Sequence, residues 1–530
     1  MSFKSILFLT GTLSSMSVLA EPETGDIPGD VHRGEDMIIT SGHKLFPNTT
    51  IATPSFNISR EDINKTNLIS ASDAIKMAPS VQVRRRFYGD TNGVTAIRGS
   101  TNFQTNHFNM FVDGLPLHNP VQTKWNGAPK WNMIAPNAIE STAVFYGPYS
   151  AEHKGGFGGT FDLKTRLPEK FEMSMDVTGI VQQSQRFGQK EEVLTGHKEF
   201  ISAGNRFGKW SVFGFFNHLD NEGQAQSFAT STPTAGATGT PVTGGYSSKT
   251  VNNAPTIITG DKGINHNITD LYEIKLGYDF TEDLRGLFTI ALEDTERNSQ
   301  SRTFLKDAAG NPFFGSNTTV TENGQDFTAN PIRFGSPTLT GSENERQTLA
   351  YGFNLSGKLT DHWDIDTTAS YFDAFKDETR SSDFSRNDPR FATDKSGEIK
   401  DIEVWWVDYS VKLATQNLFG RDDVGFMAGY QFNHSFLDID KNDINANGSK
   451  GGSTDADGGS TQTHSAFMQA DWDFIENWNI MAGLRYDHWS TSRGHINDQN
   501  GTGGLDDRDA GRVSPNASLS FTPTDDVSLR

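Results

Sequence analysis

From Phe171 onward the chain alternates apolar and polar residues with a period of two. Leu349, Tyr351, Phe353, Leu355 and Leu359 alternate with Ala350, Gly352, Asn354, Ser356 and Lys358. Val424, Phe426, Ala428, Tyr430 and Phe432 do so against Gly425, Met427, Gly429, Gln431 and Asn433, and Trp478, Ile480, Ala482, Leu484 and Tyr486 against Asn479, Met481, Gly483, Arg485 and Asp487. Tyr272–Phe280, Phe288–Leu292, Trp363–Tyr371 and Trp405–Leu413 follow the same rule. A period of two sends successive side chains to opposite faces of a strand. Segments of roughly ten residues with one apolar and one polar face suit a transmembrane barrel. A soluble sandwich also alternates, so alternation alone leaves both open.

The connections separate the two. Tight linkers are expected at Phe207-Gly208, Thr281–Leu284, Thr360–His362, Asn417–Asp423, Ile475–Asn477 and Thr522–Asp525. Between them fall long, Gly/Ser/Asn/Asp-rich linkers at Asp220–Ile268, Arg297–Asn344, Lys376–Lys400, Asp438–Thr463 and Ser490–Ala510. In an antiparallel meander every second connection lies on the same side, so the long loops share one face and the short turns the other. Short turns opposite long loops is the arrangement of an outer-membrane barrel. The pattern gives about twelve strands and a stump at Val527–Arg530.

Val81–Leu163 reads differently, with short apolar runs broken by Gly, Pro, Asn and Asp turn signals. A helix is expected only near Ala71–Met77, where Pro79 ends it. Six short words stand in order through this region: Ala78-Pro79-Ser80-Val81, Ile97-Arg98-Gly99, Phe111-Val112-Asp113-Gly114, Ile139-Glu140-Ser141, Gly147-Pro148, and Gly158-Gly159 followed by Leu163. Any one of them is common; their order is specific.

That order and spacing resemble the plug domain of TonB-dependent outer-membrane receptors. The resemblance implies a mainly β protein: an N-terminal α+β plug domain followed by an antiparallel transmembrane β-barrel. A plugged lumen of this family is built from 22 strands, so about 12–13 strands make an incomplete barrel. The chain is therefore expected to be a C-terminally truncated or fragmentary receptor, folded as an open, curved sheet. The expected division is 1–20 signal peptide, 21–45 periplasmic lead, 46–165 plug and 166–530 partial barrel. The implied function is active import of a scarce solute across the Gram-negative outer membrane, driven by the TonB complex and the inner-membrane proton gradient. Ferric siderophore is the default substrate; haem, cobalamin, another metal complex or an oligosaccharide remain open. Two rivals stand beside it: a receptor fragment that does not transport, and a secreted β-rich carbohydrate-binding or carbohydrate-active protein.

The N-terminus agrees with export. Lys4, the apolar start Ile6–Leu9 and Val18-Leu19-Ala20 have the layout of a signal peptide cleaved before Glu21, and no Cys follows to carry a lipid anchor. In the polar lead that follows, Asp36, Met37, Ile38, Ile39 and Thr40 form a brief β-prone run able to add as a strand to a partner's sheet edge. By resemblance this is the TonB box; an ordinary first plug strand is the alternative. There are no cysteines, so disulfides and thiolate metal sites are excluded. A net charge of −20 disfavours a nucleic-acid partner. The expected partners are the TonB complex, outer-membrane lipid and a small-molecule ligand.

No catalytic constellation and no cofactor site can be argued. Arg98 and Glu140 are candidates for buried ion pairs that hold the plug. Arg84, Arg85, Arg86, Phe87 and Tyr88, before a Gly-Asp-Thr-Asn-Gly turn, with Trp125 and Trp131, are candidate ligand contacts, cations and aromatics suiting an anionic ferric chelate. Aromatic packing and solvated arginines are the alternative. His107 and His118 bracket the Phe-Val-Asp-Gly word as candidate chelate neighbours or plain polar residues. Asp443, Asn445, Asn447 and Gly448 imitate half a calcium loop, but Thr454 replaces the closing Glu.

Overall fold

The computed structural model describes residues 55–87, 90, 93–99, 108–118, 121, 130–147, 150–152, 158–185, 191–236, 239–315, 318–322, 324–329, 340–498, 501–524 and 527–529. The signal and TonB-box readings, with Tyr88, His107 and Trp125, lie outside these residues.

Residues 55–165 build a small layered unit. Its five-stranded sheet has the order Ser55–Ile58, Ile139–Phe145, Gly159–Thr165, Phe108–Val112, Leu115–Pro116. Val81–Arg84 and Val94–Ile97 form a separate hairpin. A one-turn helix, Arg60–Asn64, starts at a Ser59/Asp62 capping box. The expected helix near Ala71–Met77 is a 3-10 turn over Ala71–Ile75 instead. The Asp73 carboxylate accepts the backbone N–H groups of Ile69 (3.1 Å) and Ser70 (3.0 Å) at its entrance.

The wall is one antiparallel meander in strict chain order. It runs through Glu172–Ser184, Glu192–Phe207, Trp210–Gly223, Asn265–Asp279, Leu284–Gln300 and Gly341–Lys358, then Asp364–Ser382, Gly397–Thr415, Val424–Ile444, Lys450–Ile475, Trp478–Asp498 and Arg508–Thr524, to the stump Val527–Leu529. Among the described residues no pairing joins the first strand to the last, so the sheet is open and curved.

Outward side chains are apolar and in register: Ile274 faces Ile290, which faces Tyr351, and Leu276 faces Phe288, which faces Phe353. This band is edged by rings. Trp210 and Tyr278 (4.6 Å) lie next to the short turns, and Phe216 and Tyr272 (4.9 Å, stacked) lie further up. Apolar residues exposed between two aromatic rows are the lipid-facing surface of a barrel. No helix among the described residues is long and apolar enough to cross a membrane.

The parity of connections holds throughout, but two long linkers are mostly strand. Between Ile444 and Lys450 only residues 445–449 are unpaired, and Gly501–Gly504 folds back on His495–Asp498. Asp438–Thr463 and Ser490–Ala510 therefore correct to strand extensions above the membrane. The linkers 224–264 and 301–340 fold together into small sheets with their own core of Val242, Ile257, Leu305, Val320 and Phe327.

Residues 55–165 sit against the concave face of the wall. Their core (Ile75, Ile97, Phe108, Trp131, Phe161) is continuous with inward wall residues Phe200, Phe213, Leu271, Phe372 and Trp406. The last two stack at 3.7 Å.

Candidate functional site

Residues from five of the six words of the inner domain stand at joints. Asp113 and Gly114 have φ of +51° and +84° and join strands in which Val112 pairs with Leu115, so Asp-Gly makes a two-residue hairpin turn. The turn tip meets the wall: a Cβ on Gly114 would lie 3.2 Å from Thr368 Cγ2. Gly352 of the wall leaves room for Leu115, whose Cδ2 would be 2.6 Å from a Cβ there. Ser80, Arg98 and Tyr146 close a second joint. Arg98 N–H donates to the Ser80 carbonyl (2.9 Å), Tyr146 O–H donates to the Pro79 carbonyl (2.6 Å), and the Arg98 guanidinium lies 5.1 Å from the Tyr146 ring centre. Gly99 and Gly147 take positive φ at the same place. Gly158 and Gly159 are glycines because the Phe108 ring and the Ile97 side chain occupy the space of a Cβ.

Arg98 and Glu140 are both exposed, so the buried pairs expected of them are elsewhere. The principal one is Asp113 with Lys275 of the wall, both enclosed. Asp113 also accepts Thr165 N–H (3.0 Å) and Thr165 Oγ1–H (2.6 Å). Burial alone would raise the Asp113 pKa, but Lys275 and then Lys164 outweigh it and hold the carboxyl below the ordinary carboxylate range. Lys198 of the wall donates to the Leu68 carbonyl (2.8 Å) and Asn137 Oδ1 (2.6 Å).

Four consecutive wall strands converge on Ala151-Glu152. Arg485 donates to both carbonyls (3.0 and 3.1 Å), Gln431 Nε2 donates to the Glu152 carbonyl (2.9 Å), Lys412 pairs with the Glu152 carboxylate (2.6 Å), and Gln469 Oε1 accepts Ala151 N–H (3.1 Å). A third cluster gathers Lys130 and Asn132 with Glu293, Arg297 and Arg346 of the wall, Arg346 pairing with Glu293 at 2.6 Å. Burial, and then Arg346, push the Lys130 ammonium down to about 8.

The predicted ligand residues divide. Arg85 is tied to Asp73 (2.8 Å) and Ser72 (2.7 Å), and Arg86 to Asp90 (2.9 Å), inside the plug. Phe87 and Trp131 are buried, Trp131 lying 5.7 Å from the Phe161 ring in the core. Arg84 is exposed. His118 lines the interior cavity beside Phe111. Asn445 and Asn447 bond Ser449 at the hairpin tip, and among the described residues no group of three His, Cys, Asp or Glu is placed to hold a metal. Sequence reasoning missed Lys198, Lys275, Lys412 and Arg485. A signal was available for Lys275, the sole Lys or Arg on one face of Asn265–Asp279, opposite the apolar run Tyr272, Ile274, Leu276 and Tyr278; Lys198, Lys412 and Arg485 share their faces with Arg206, Lys400 and Arg493 and do not stand out.

A family model described as TonB dependent receptor-like, beta-barrel, matches residues 277–530, and one described as TonB-dependent receptor plug domain matches residues 47–160. No curated protein matches the chain. Among solved structures, the unliganded ferric citrate transporter FecA is similar at 12% identity and a TM-score of 0.59, over 90% of this chain and 61% of that one. The ferric yersiniabactin uptake receptor FyuA from Yersinia pestis gives 14%, 0.55, 89% and 62%, and the copper transporter OprC 13%, 0.54, 89% and 61%. The chain thus spans about three-fifths of the length of these structures, and at such identities the likeness is one of fold.

Proposed function

This chain belongs to the TonB-dependent receptors, proteins of the Gram-negative outer membrane and not enzymes, and from that premise we propose that it takes up a scarce solute by an energised movement of its inner domain. In this reading residues 21–45 are a periplasmic lead, 46–165 the plug and 166–530 the wall. The run Asp36–Thr40 is the handle gripped by TonB through an added strand. The supporting observation is the seating of residues 55–165 on the concave face, with every long or extended connection at one end and the short turns at the other. A stopper held by discrete ion pairs and a loop clamp has separable points of release, and local opening costs less than global unfolding.

Metal chelates are the first substrate class to test, since FecA, FyuA and OprC are titled for ferric citrate, ferric yersiniabactin and copper. Arg84, Tyr88 and Trp125 are the remaining proposed contacts. Full-length chain and a variant lacking residues 36–40 are expressed in a host with its own receptors deleted, and uptake of iron-55 as ferric citrate and as ferric yersiniabactin is followed. Uptake by the full chain, lost in the variant and on collapsing the proton gradient, is the expected result. A full chain that binds chelate at the cell surface yet accumulates none would instead establish a binding receptor without transport. Capture of the periplasmic domain of TonB by the full chain and not by the variant checks the handle separately.

A further inference from the structure

One row on the inner face of the wall lies above the Glu152 clamp. Across four neighbouring strands, Asp408 stands opposite Asn433, Asn433 opposite Thr463, and Thr463 opposite Trp489. With strands ~4.8 Å apart, the row is roughly 14 Å long. It walls a cavity of about 280 Å3 whose opposite side is Phe111 and His118 of the plug, rings in edge contact at 5.7 Å.

Three features decide what such a cavity can hold. Trp489 is 39% exposed although it faces the interior, and it has no ring partner among the described residues, so it is not packed as core. The charged lining groups are Asp408 and Glu152, the latter neutralised by Lys412 at 2.6 Å; no Lys or Arg stands among the described lining residues. Among the described lining residues an anionic chelate would therefore meet the Asp408 carboxylate and no cation, Lys412 of the adjoining space being paired with Glu152, and no described carboxylate or imidazole trio is placed to hold a bare metal. What remains is a flat apolar ring beside hydrogen-bonding groups. Asn433 Nδ2 donates to Asp408 Oδ1 (2.9 Å), which fixes the pair side by side, and the Thr463 hydroxyl follows one strand on.

We propose that this cavity is a subsite for an uncharged, hydroxyl-rich solute, in its simplest form one or two units of an oligosaccharide. The CH face of a sugar ring lies on the indole of Trp489, and adjacent hydroxyls bridge the carboxylate of Asp408 and the amide of Asn433. A site built from such groups rejects a solute lacking the hydroxyls, because its polar atoms would be left unpaired. The proposal rests on the interior as the solute's route and concerns this one cavity of it, apart from the chelate contact proposed at Arg84.

Calorimetry on the detergent-solubilised full chain tests it with maltotriose, cellotriose and chitotriose as uncharged probes and citrate as the anionic one. At least one trisaccharide is expected to bind, at least tenfold more weakly to Trp489→Ala and several-fold more weakly to Asp408→Ala, while citrate does not compete. Thermal unfolding unchanged in both variants shows that the loss is local. Binding of none of the trisaccharides, binding indifferent to Trp489→Ala, or displacement by citrate would each overturn the subsite. None of these measurements uses TonB or a proton gradient, so the subsite and the transport reading fail separately.

Discussion

Asp113 answers two demands with one side chain. Its backbone takes a positive φ that Asp tolerates better than most residues, and its carboxylate closes the turn on Thr165 while meeting Lys275 of the wall. The side chain of Lys275 is 0% exposed, so removing its close partner leaves a buried ammonium with only the more distant Glu273 carboxylate, at 3.9 Å, beside it. Asp113→Ala is expected to weaken the seating of the plug by about 3–5 kcal/mol, the usual result of breaking a buried pair from one side. Limited proteolysis of the detergent-solubilised protein reads this as cleavage within residues 55–165. The pH dependence follows from the direction of the shift. A carboxyl whose folded pKa is depressed stabilises the fold above its unfolded value of ~3.9 and loses that contribution as pH falls through the folded value. The wild-type seam should thus hold at neutral pH and open only in strong acid, whereas Asp113→Ala should lack this acid step. That Asp-Gly marks a tight turn was legible from the two residues alone. That Asp113 pairs with Lys275 was not, since 162 positions separate the two and only the curvature of the wall around the inner domain brings them together.

Elements differed in legibility according to what holds them. The wall strands inside the membrane carry apolar residues on one face, and their period of two is written in the sequence. Their extensions above the membrane are not. Val424–Ile444 and Lys450–Ile475 continue through Asp, Asn, Gly and Ser, held by the backbone ladder and by cross-strand pairs such as Lys441 with Asp455 (2.5 Å) and Lys450 with Asp401 (2.8 Å). Turn-forming composition outweighed strand character there because no buried face selects for alternation. Backbone amides within Asp438–Ile444 and Ala456–Thr463 should accordingly exchange slowly with deuterium, unlike those of Ala446 and Asn447 at the tip. Lys441→Glu, which sets like charges side by side, should cost ~0.2–1 kcal/mol and speed exchange at the hairpin tip without affecting the membrane strands. The inner domain repeats the lesson in reverse. Its motif glycines were visible, but that Gly158 yields to the Phe108 ring, or Gly352 to Leu115, depends on contacts between segments far apart in the chain.

At the scale of the molecule, the wall has two faces in different solvents. Its inner face must fit a folded domain and so carries a mixture: Phe213 and Trp406 pack into the plug core, while Lys198, Lys275 and Arg485 make polar contacts with it. The outer face needs only to be apolar between the two aromatic rows, which explains why its pattern was the strongest signal in the chain. Ile290 tests this division. It lies between Ile274 and Tyr351 in register, inside the band bounded by the row of Trp210 and Tyr278 and the row of Phe216 and Tyr272, and it is 37% exposed in the absence of lipid. A lysine there has no water within reach, so Ile290→Lys should lower folding stability in a bilayer by ~2–4 kcal/mol. Asn298, on the same strand but at the level of the long loops, is half-buried and accepts a hydrogen bond from Gln300 (3.0 Å), and Asn298→Lys should change stability by no more than about 1 kcal/mol. Urea unfolding of the full chain in phosphatidylcholine vesicles, followed by tryptophan emission, compares the two. Equal and small effects would mean that the band between the aromatic rows meets water, and the wall would then not be a membrane surface at all.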